Sequence, residues 1–206
     1  ALDSLLAQTY EDFELIISDN GSTDDTEAVC REYAARDSRI RYYRQPENRG
    51  PLRNFNFVLD QARGQCYMWA AADDYWAHDW VEKLMPHGRP DLAISFGSVR
   101  SMTDEDVKIR DWPAYQFTGP KWWRLLKFTW SHSAKTCCIY GVYPREMLVK
   151  IGGVRLVAEE MFSADVFFLY QVLHYGGIRS DSSTRIYKHV GGMGSSDRSA
   201  SRLKEN

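Results

Sequence analysis

The sequence predicts an α/β fold in which a mostly parallel central sheet is flanked by helices. Three observations predict it: a length of 206 residues, short apolar runs that alternate with amphipathic segments, and loops of Asp, Asn or Gly after the runs. A chain of this length can bury the core of one domain. Strands that alternate with helices imply right-handed crossovers, which make neighbouring strands parallel.

The first half of the chain predicts three strands joined by two helices. Its apolar runs have the short length of buried strands. Ser22 or Thr23 can cap the first helix, and Pro51 suits the first position of the second. The predicted elements are a strand over 13–18, a helix from 23 to about 35, a strand over 39–44, a helix over 51–62 and a strand over 67–72.

The second half predicts further helices and shorter strands. The stretch 101–120 is polar and is predicted to be irregular, and the Gly/Ser-rich tail from 191 is predicted to be mobile or to form a lid. The predicted helices span 79–85, 121–130, 145–151 and 164–175, and the predicted strands span 92–96, 138–143 and 185–187.

Composition limits the possible partners and the location. The formal net charge of −2 gives no argument for nucleic acid as a partner or for a general attraction to anionic membranes. No apolar run approaches the roughly 20 residues that a membrane span needs, and no signal peptide is recognised. The four cysteines show no C-x-x-C spacing, so we expect free thiols in a reducing compartment and a cytoplasmic location.

Two adjacent carboxylates, Asp73 and Asp74, follow the predicted strand 67–72. Ligands of open α/β sheets bind beyond the carboxyl ends of strands, and paired acids there can hold a hard divalent cation that in turn holds a diphosphate. The alternative is an Asp-rich turn that caps the next helix. The chain has neither a G-x-G-x-x-G motif nor a P-loop, so a diphosphate would be held by a metal rather than by a glycine cradle.

Other polar residues are candidates at the same edge of the sheet. Asp19 ends the first strand and can accept hydrogen bonds from a ribose or a base, whereas the alternative is that it closes the turn at Asn20. Arg53 lies in the first turn of its helix, where a nucleotide would lie, and a solvated arginine is the alternative. His189 is a candidate metal ligand or phosphate contact, and an ordinary surface or core histidine is the alternative.

The predicted helix 121–130 is basic and rich in aromatic residues. Such a helix is a candidate contact for a lipid-linked acceptor or a sugar, which would give the protein a peripheral membrane contact. The alternative is a helix whose aromatic side chains pack on the core.

Several motifs resemble those of family 2 glycosyltransferases, which have the Rossmann-like GT-A fold. The resemblance covers nearly the whole chain and is most specific in its first half. The chain opens on what reads as the end of a helix already under way, so we expect the family's first strand to be missing from this sequence. The matching stretches are L-D-S-L-L-A-Q-T-Y from Leu2, F-E-L-I-I-S-D-N-G-S-T-D from Phe13, Asn48-Arg49-Gly50, Arg53-Asn54, Asp73-Asp74, Tyr140–Tyr143, Gly152-Gly153, Asp165 and Tyr187-Lys188-His189.

The resemblance implies transfer of a sugar from a nucleotide-diphosphate donor with inversion. It implies that Asp19, with Asn20 beside it, contacts the nucleotide and that Arg53 lies next to the base. Asp165 is similar to the catalytic base, which takes the proton of the acceptor hydroxyl as that hydroxyl attacks.

The resemblance also implies Mg²⁺ or Mn²⁺ as a cofactor, acting as a Lewis acid on the leaving diphosphate. Asp73 and Asp74 are similar to the end of the family's D-x-D-D motif, in which one acid binds the metal and another lies near the ribose or the donor sugar. The sequence departs from the family at two positions: Ala71 stands where the first acid of that motif is expected, and Ala164 where a Glu precedes the catalytic Asp.

By the same resemblance, residues 1–98 form a nucleotide-sugar-binding half, and residues 99–206 form an acceptor-binding half that carries the base. The expected partners are a nucleotide-diphosphate sugar and a glycan or lipid-linked sugar acceptor, at the inner face of the membrane in the latter case. Three alternatives remain open: a nucleotidyltransferase on a similar sheet, a non-catalytic sugar- or nucleotide-binding module, and a glycoside hydrolase that uses Asp73 or Asp74 with Asp165.

Overall fold

The fold begins with a helix and a parallel strand pair. The computed structural model describes residues 1–85, 91–103, 105–112, 115–131, 135–155 and 164–189. Strands β1 and β2 pair in parallel, with Asp19 opposite Arg44 at their carboxyl ends. These strands and the helices around them confirm the elements predicted for residues 13–62. The elements are α1 (Leu2–Leu6), β1 (Leu15–Asp19), α2 (Thr26–Arg36), β2 (Ile40–Arg44) and α3 (Pro51–Gln61).

A larger mixed sheet lies beyond this pair, so the sheet is not mostly parallel as the sequence predicted. Its order is β4-β9-β5-β6, with β7 paired to β9 outside that path. Only β5 and β9 run parallel, while β4 with β9, β5 with β6, and β7 with β9 are antiparallel. The strands are β4 (Asp74–Trp76), β5 (Leu92–Met102), β6 (Lys108–Trp112), β7 (Gln116–Phe117) and β9 (Gly177–His189).

The strand predicted over 67–72 is wrong in extent, and this changes the position of the acids. Only Cys66–Tyr67 forms a strand, β3, which pairs antiparallel with β8 (Tyr143–Pro144). Trp69 leaves the ladder and buries its ring, and its indole N–H donates to the Phe55 carbonyl at 3.0 Å. Asp74 therefore begins β4 instead of ending a parallel strand. A short apolar run indicates burial, but it does not distinguish a strand from another buried segment.

Three other predictions of secondary structure are corrected. The predicted strand 138–143 is mostly a 3₁₀ helix, Lys135–Tyr140, and the Tyr143 hydroxyl donates to the carbonyl groups of Cys138 and Ile139. The stretch 101–120 is not irregular, because it contains the end of β5 together with β6 and β7. The last strand is far longer than 185–187, since it runs from Gly177 to His189 and includes an exposed polar segment over 181–183.

The later helices are confirmed, and they enclose one aromatic core. Trp69 packs edge-to-face on Tyr143 and Phe168, and the fully buried Trp80 packs in the same way on Phe96. None of the helices in the described ranges is long and apolar enough to cross a membrane. The predicted lid from 191 lies outside the described residues. The helices are α4 (Trp80–Leu84), α5 (Lys121–Trp130), α6 (Arg145–Ile151) and α7 (Ala164–Tyr175).

Candidate functional site

The carboxyl ends of β1 and β2 form one edge of the candidate site. The backbone N–H of Gln45 donates to the Asp19 carbonyl at 2.8 Å, so the strand pairing continues to this edge. The loops that follow the two strands are also joined. Asn20 donates through Nδ2 to Asn48 at 2.9 Å and accepts the Arg49 backbone N–H at 3.0 Å. The parallel pairing thus brings polar groups from two loops to one place.

The Asp19 carboxylate is buried and held by three neighbours. Its Oδ1 accepts the Ser22 backbone N–H at 2.7 Å, its Oδ2 accepts the Tyr42 hydroxyl at 2.9 Å, and the Arg44 Nε lies 3.6 Å from Oδ2. Burial alone would raise the pKa of Asp19, but these hydrogen bonds and the Arg44 charge outweigh it and lower the pKa below 3.8. Asp19 therefore closes the turn, as the local alternative proposed, and presents a fixed negative charge at the strand end.

The first turn of α3 lies against the end of β1. Asn54 donates through Nδ2 to the Ser18 carbonyl at 2.9 Å, and its Oδ1 accepts the Ser18 hydroxyl at 2.6 Å. Arg53 precedes Asn54 and is exposed, and no hydrogen bond or ion pair joins its side chain to another residue in the described part of the chain. Arg53 is thus a free cation beside the Asp19 edge.

Asp73 and His189 come together where β4 and β9 pair. His189 ends β9, and its Nδ1 lies 2.8 Å from the Asp73 backbone carbonyl. The other ring nitrogen, Nε2, lies 3.0 Å from the carboxylate of Asp106, which is well exposed. The pairing therefore sets the His189 imidazole against the backbone carbonyl of Asp73, which is 116 residues away in sequence.

The neighbouring acid, Asp74, is used differently. Its side chain is fully buried, and Oδ2 accepts the Lys188 Nζ at 2.5 Å, while Lys188 also lies over the Tyr140 ring at 4.6 Å. Burial raises the pKa of Asp74 despite the opposing Lys188 charge, and its Oδ1 is buried without a hydrogen-bond partner among the described residues. Asp74 neutralises an ammonium group inside the protein, so metal binding by Asp74, which stays a prediction, would require it to release Lys188.

Asp165 borders the same region from the side of α7. It lies in the first turn of that helix, and its Oδ1 accepts the Val166 backbone N–H at 2.8 Å. The charge of Asp165 acts on the Cys137 thiol, as do the charges of Asp74 in β4 and Lys188 in β9. Burial raises the pKa of the Cys137 thiol to about 11, Lys188 opposes that change, and the negative charges of Asp74 and Asp165 add to it. The charges of Lys188, Asp74 and Asp165 thus all act on one thiol.

The donor atoms present can be compared with what a divalent metal needs. Within the described ranges, no three His, Cys, Asp or Glu side chains gather as a ready-made metal site. Mg²⁺ is commonly held by one or two carboxylates, with the other positions filled by substrate phosphates and water. The Asp73 carboxylate and the His189 imidazole are donors of a suitable type, but His189 contacts Asp73 through its backbone carbonyl and has its other ring nitrogen on Asp106.

Sequence reasoning missed two residues that organise the site. In the sequence, Lys188 is only a neighbour of His189, although it binds Asp74 across 114 residues. Tyr42 is only one residue of an alternating strand pattern, yet it donates to Asp19. A buried acid next to a strand requires a partner, and that requirement was the one available signal for both residues.

Comparison with known proteins identifies the family and the fold of the chain. A beta-1,3-glucosyltransferase of Campylobacter jejuni that acts on GalNAc(5)-diNAcBac-PP-undecaprenol is 34% identical over 99 residues, which are 48% of this chain and 32% of that protein. The S. aureus TarS 1–349 structure in complex with UDP superposes with a TM-score of 0.67 at 19% identity, covering 92% of this chain and 55% of TarS 1–349.

A second solved structure supports the same fold. The mannosyltransferase PcManGT of Pyrobaculum calidifontis, in complex with GDP-Man and Mn²⁺, superposes with a TM-score of 0.63 at 16% identity, covering 94% of this chain and 53% of that one. The chain thus spans about a third of the Campylobacter relative and about half of each solved structure. The predicted GT-A fold is confirmed. Residues 1–148 match the sequence profile of the family described as Glycosyl transferase family 2, and the chain belongs to that family.

Proposed function

We propose that this protein transfers a sugar from a nucleotide-diphosphate donor to an acceptor hydroxyl, with inversion at the anomeric carbon. The observation that carries the proposal is the meeting of Asp73 and His189 at the β4–β9 pair, with Asp165 bordering the same region. Family membership and the nucleotide complexes of the two structural neighbours support it.

The donor half of the proposal, residues 1–98, rests on the edge formed by β1 and β2. A carboxylate has about four acceptor sites, and Asp19 uses two of them on Ser22 and Tyr42; because its side chain has no solvent exposure, a base or ribose would have to displace a covering neighbour to reach the other two. Arg53 is exposed in the first turn of α3 and supplies a positive charge at this edge. We assign Asn20 to the same set, because its amide holds the two loops that would border the nucleotide.

The proposed cofactor is Mg²⁺ or Mn²⁺, held by Asp73 and His189. For His189 to serve as a ligand through Nε2, that nitrogen must exchange the exposed Asp106 carboxylate for the ion. When bound, the ion stabilises the negative charge that develops on the leaving diphosphate. Asp74 supports this site indirectly, because its pairing with Lys188 fixes β4 against β9 and so fixes Asp73 beside His189.

The proposed base is Asp165. Its carboxylate takes the proton of the acceptor hydroxyl while that oxygen bonds to the anomeric carbon, and the nucleotide diphosphate leaves with the electrons of the broken bond. A single displacement of this kind inverts the configuration. The acceptor half of the proposal comprises residues 99–206, which include Asp165.

A lipid-linked sugar is the acceptor that we propose. The Campylobacter relative, whose name specifies an undecaprenol-linked acceptor, supports this choice. A lipid-linked acceptor would be met at the cytoplasmic face of a membrane, so we propose that location for the reaction.

Calorimetric titration of UDP, GDP and dTDP, each with and without Mn²⁺, tests donor binding. We expect one nucleotide to bind in a metal-dependent manner and the affinity to fall at least tenfold in Asp73→Asn and His189→Ala. The matched control is Asp12→Asn, which removes an exposed acid that makes no described contact. Equal affinity in all three variants and the parent chain would contradict the metal site.

A second experiment tests the base. With a donor and a lipid-linked acceptor, Asp165→Asn should lower the transfer rate by about 10²–10⁴-fold, because general base catalysis contributes about that much. Donor binding by calorimetry should stay unchanged in that variant. Glycoside hydrolysis that needs no nucleotide and survives EDTA would instead support the hydrolase alternative.

A further inference from the structure

Helix α5 exposes large aromatic side chains that the proposed reaction does not use. Trp122 is 67% exposed, Trp130 is 73% exposed, Trp123 is 40% exposed and Leu126 is 36% exposed. We call these four residues the α5 aromatic face. Exposed apolar residues are normal when scattered, whereas a contiguous group of this kind marks an interaction site.

The four residues share one side of a well-anchored helix. At about 100° per residue they fall within about 100° of helical arc. The opposite side holds α5 on the protein: Phe128 is fully buried, and the Arg124 guanidinium donates to the carbonyl groups of Leu173 and His174. The alternative reading of 121–130, in which its aromatic side chains pack on the core, therefore holds for Phe128 and not for the tryptophans.

The charge of α5 indicates the kind of partner. The helix has no acidic residue, and exposed Lys127 lies beside the aromatic face, whereas exposed Lys121 begins the helix on its other side. The Lys127 Nζ lies 5.2 Å from the Trp123 ring centroid, so a cation and an indole share one surface. Helices that lie in a membrane interface combine these two features, with Trp at the headgroup level and lysines close to anionic lipid.

We propose that the α5 aromatic face binds the surface of an anionic phospholipid bilayer. Local charge complementarity supports this occupant, because Lys127 lies beside the aromatic face and α5 carries no acidic residue that would oppose an anionic surface. A second copy of the chain would present the same basic face, which offers Lys127 no negative partner.

The packing of α5 relates this face to the proposed acceptor site. Thr129 bonds to the Tyr170 hydroxyl at 2.7 Å and Arg124 bonds to His174, so α5 and α7 run antiparallel. Trp130 therefore lies towards the beginning of α7, where Asp165 is found. This step rests on the proposed function: a bilayer on the aromatic face would bring a lipid-linked hydroxyl towards the proposed base.

Vesicle co-sedimentation of the 206-residue chain tests the proposal. We expect binding to vesicles of phosphatidylcholine with phosphatidylglycerol and much weaker binding to phosphatidylcholine alone. Trp122→Ser with Trp130→Ser should weaken binding by about tenfold per tryptophan, the effect of withdrawing about 60 Å² of apolar surface from lipid. Lys127→Glu should weaken it by at least about fivefold, and added salt should lower it further.

Val29→Ser on α2 is the matched control, because it removes an exposed apolar side chain from another helix and should leave vesicle binding unchanged. The proposal is overturned if the parent chain does not bind anionic vesicles or if the tryptophan variant binds as the parent does. It is also overturned if sedimentation shows a dimer that the tryptophan variant abolishes. Nucleotide titration of the same variants separates the two proposals. Nucleotide binding tests the donor site, and vesicle binding tests the α5 aromatic face.

Discussion

Replacing Lys188 with methionine tests the account of the strand pair at the centre of the site. Methionine has a similar length and removes only the ammonium group that Asp74 accepts at 2.5 Å. The Asp74 side chain has no solvent exposure and its second oxygen already lacks a partner, so the carboxylate cannot recover its lost interaction from water or from another described residue. Lys188→Met should therefore strongly destabilise the fold.

The size of the effect follows from the burial of the pair. Breaking a buried ion pair by removing one partner costs about 3–5 kcal/mol in free energy of unfolding. We expect about 3 kcal/mol, because Asp74 can reduce the penalty by taking up a proton. For a chain of this length, each kcal/mol lowers the melting temperature by about 2–4 °C, so the expected decrease is about 6–12 °C.

The pH dependence of the variant gives a sharper result than its melting temperature alone. Burial raises the pKa of Asp74 already in the parent protein, and loss of the Lys188 charge raises it further. A folded-state pKa above the unfolded value means that the folded protein binds more protons, so stability is lost as the pH rises through that pKa. The difference between Lys188→Met and the parent should thus be larger at pH 7.5 than at pH 5.

Urea unfolding at the two pH values measures these differences, and Lys83→Met is the control. The Lys83 Nζ lies 2.6 Å from Asp79, but both side chains are partly exposed, so this change should cost at most about 1 kcal/mol. The double variant Asp74→Asn with Lys188→Met removes both charges and should recover part of the loss. Equal costs for Lys83→Met and Lys188→Met, or a Lys188→Met effect that does not vary with pH, would refute the reasoning.

Two further predictions concern the β1 edge. Tyr42→Phe removes the hydroxyl that donates to Asp19 and should lower the free energy of unfolding by about 1.5 kcal/mol at pH 7. Because folding lowers the pKa of Asp19, urea titrations should show that this loss becomes smaller as the pH falls below about 4. Gly21→Ala should cost about 1–3 kcal/mol in the same assay, since φ is +78° and a Cβ would lie 2.8 Å from the backbone carbon of Glu47. An unchanged free energy of unfolding in Gly21→Ala would mean that the loop carries no backbone strain at this position.

The elements that the sequence predicted well have local causes. Helices α3, α5, α6 and α7 follow their predicted ranges closely, because periodic apolar residues and end signals such as Pro51 and Gly152 act within a few residues. The first two strands were predicted for a similar reason, since each is a short run bounded by turn residues. Asp19 was therefore assigned correctly to the end of a strand.

The elements that were missed depend on distant partners. β9 is polar along much of its length, and it becomes a strand because β5 pairs with it on one side and β4 and β7 on the other. The apolar run after Tyr67 is not a strand, because Trp69 packs instead among Phe55, Tyr143 and Phe168. The hydrophobic pattern of a segment does not show which distant segment will pair with it or pack on it.

The α/β class, the family resemblance and the set of candidate residues follow from residue type and local spacing along the chain. How the candidates interact depends on which segments the fold brings together. The antiparallel pairing of β4 with β9 set His189 beside Asp73, and it gave Asp74 to Lys188 across 114 residues of sequence. A buried carboxylate must be neutralised by whichever cation the fold brings to it, and that partner is defined by contacts in space and not by order along the chain.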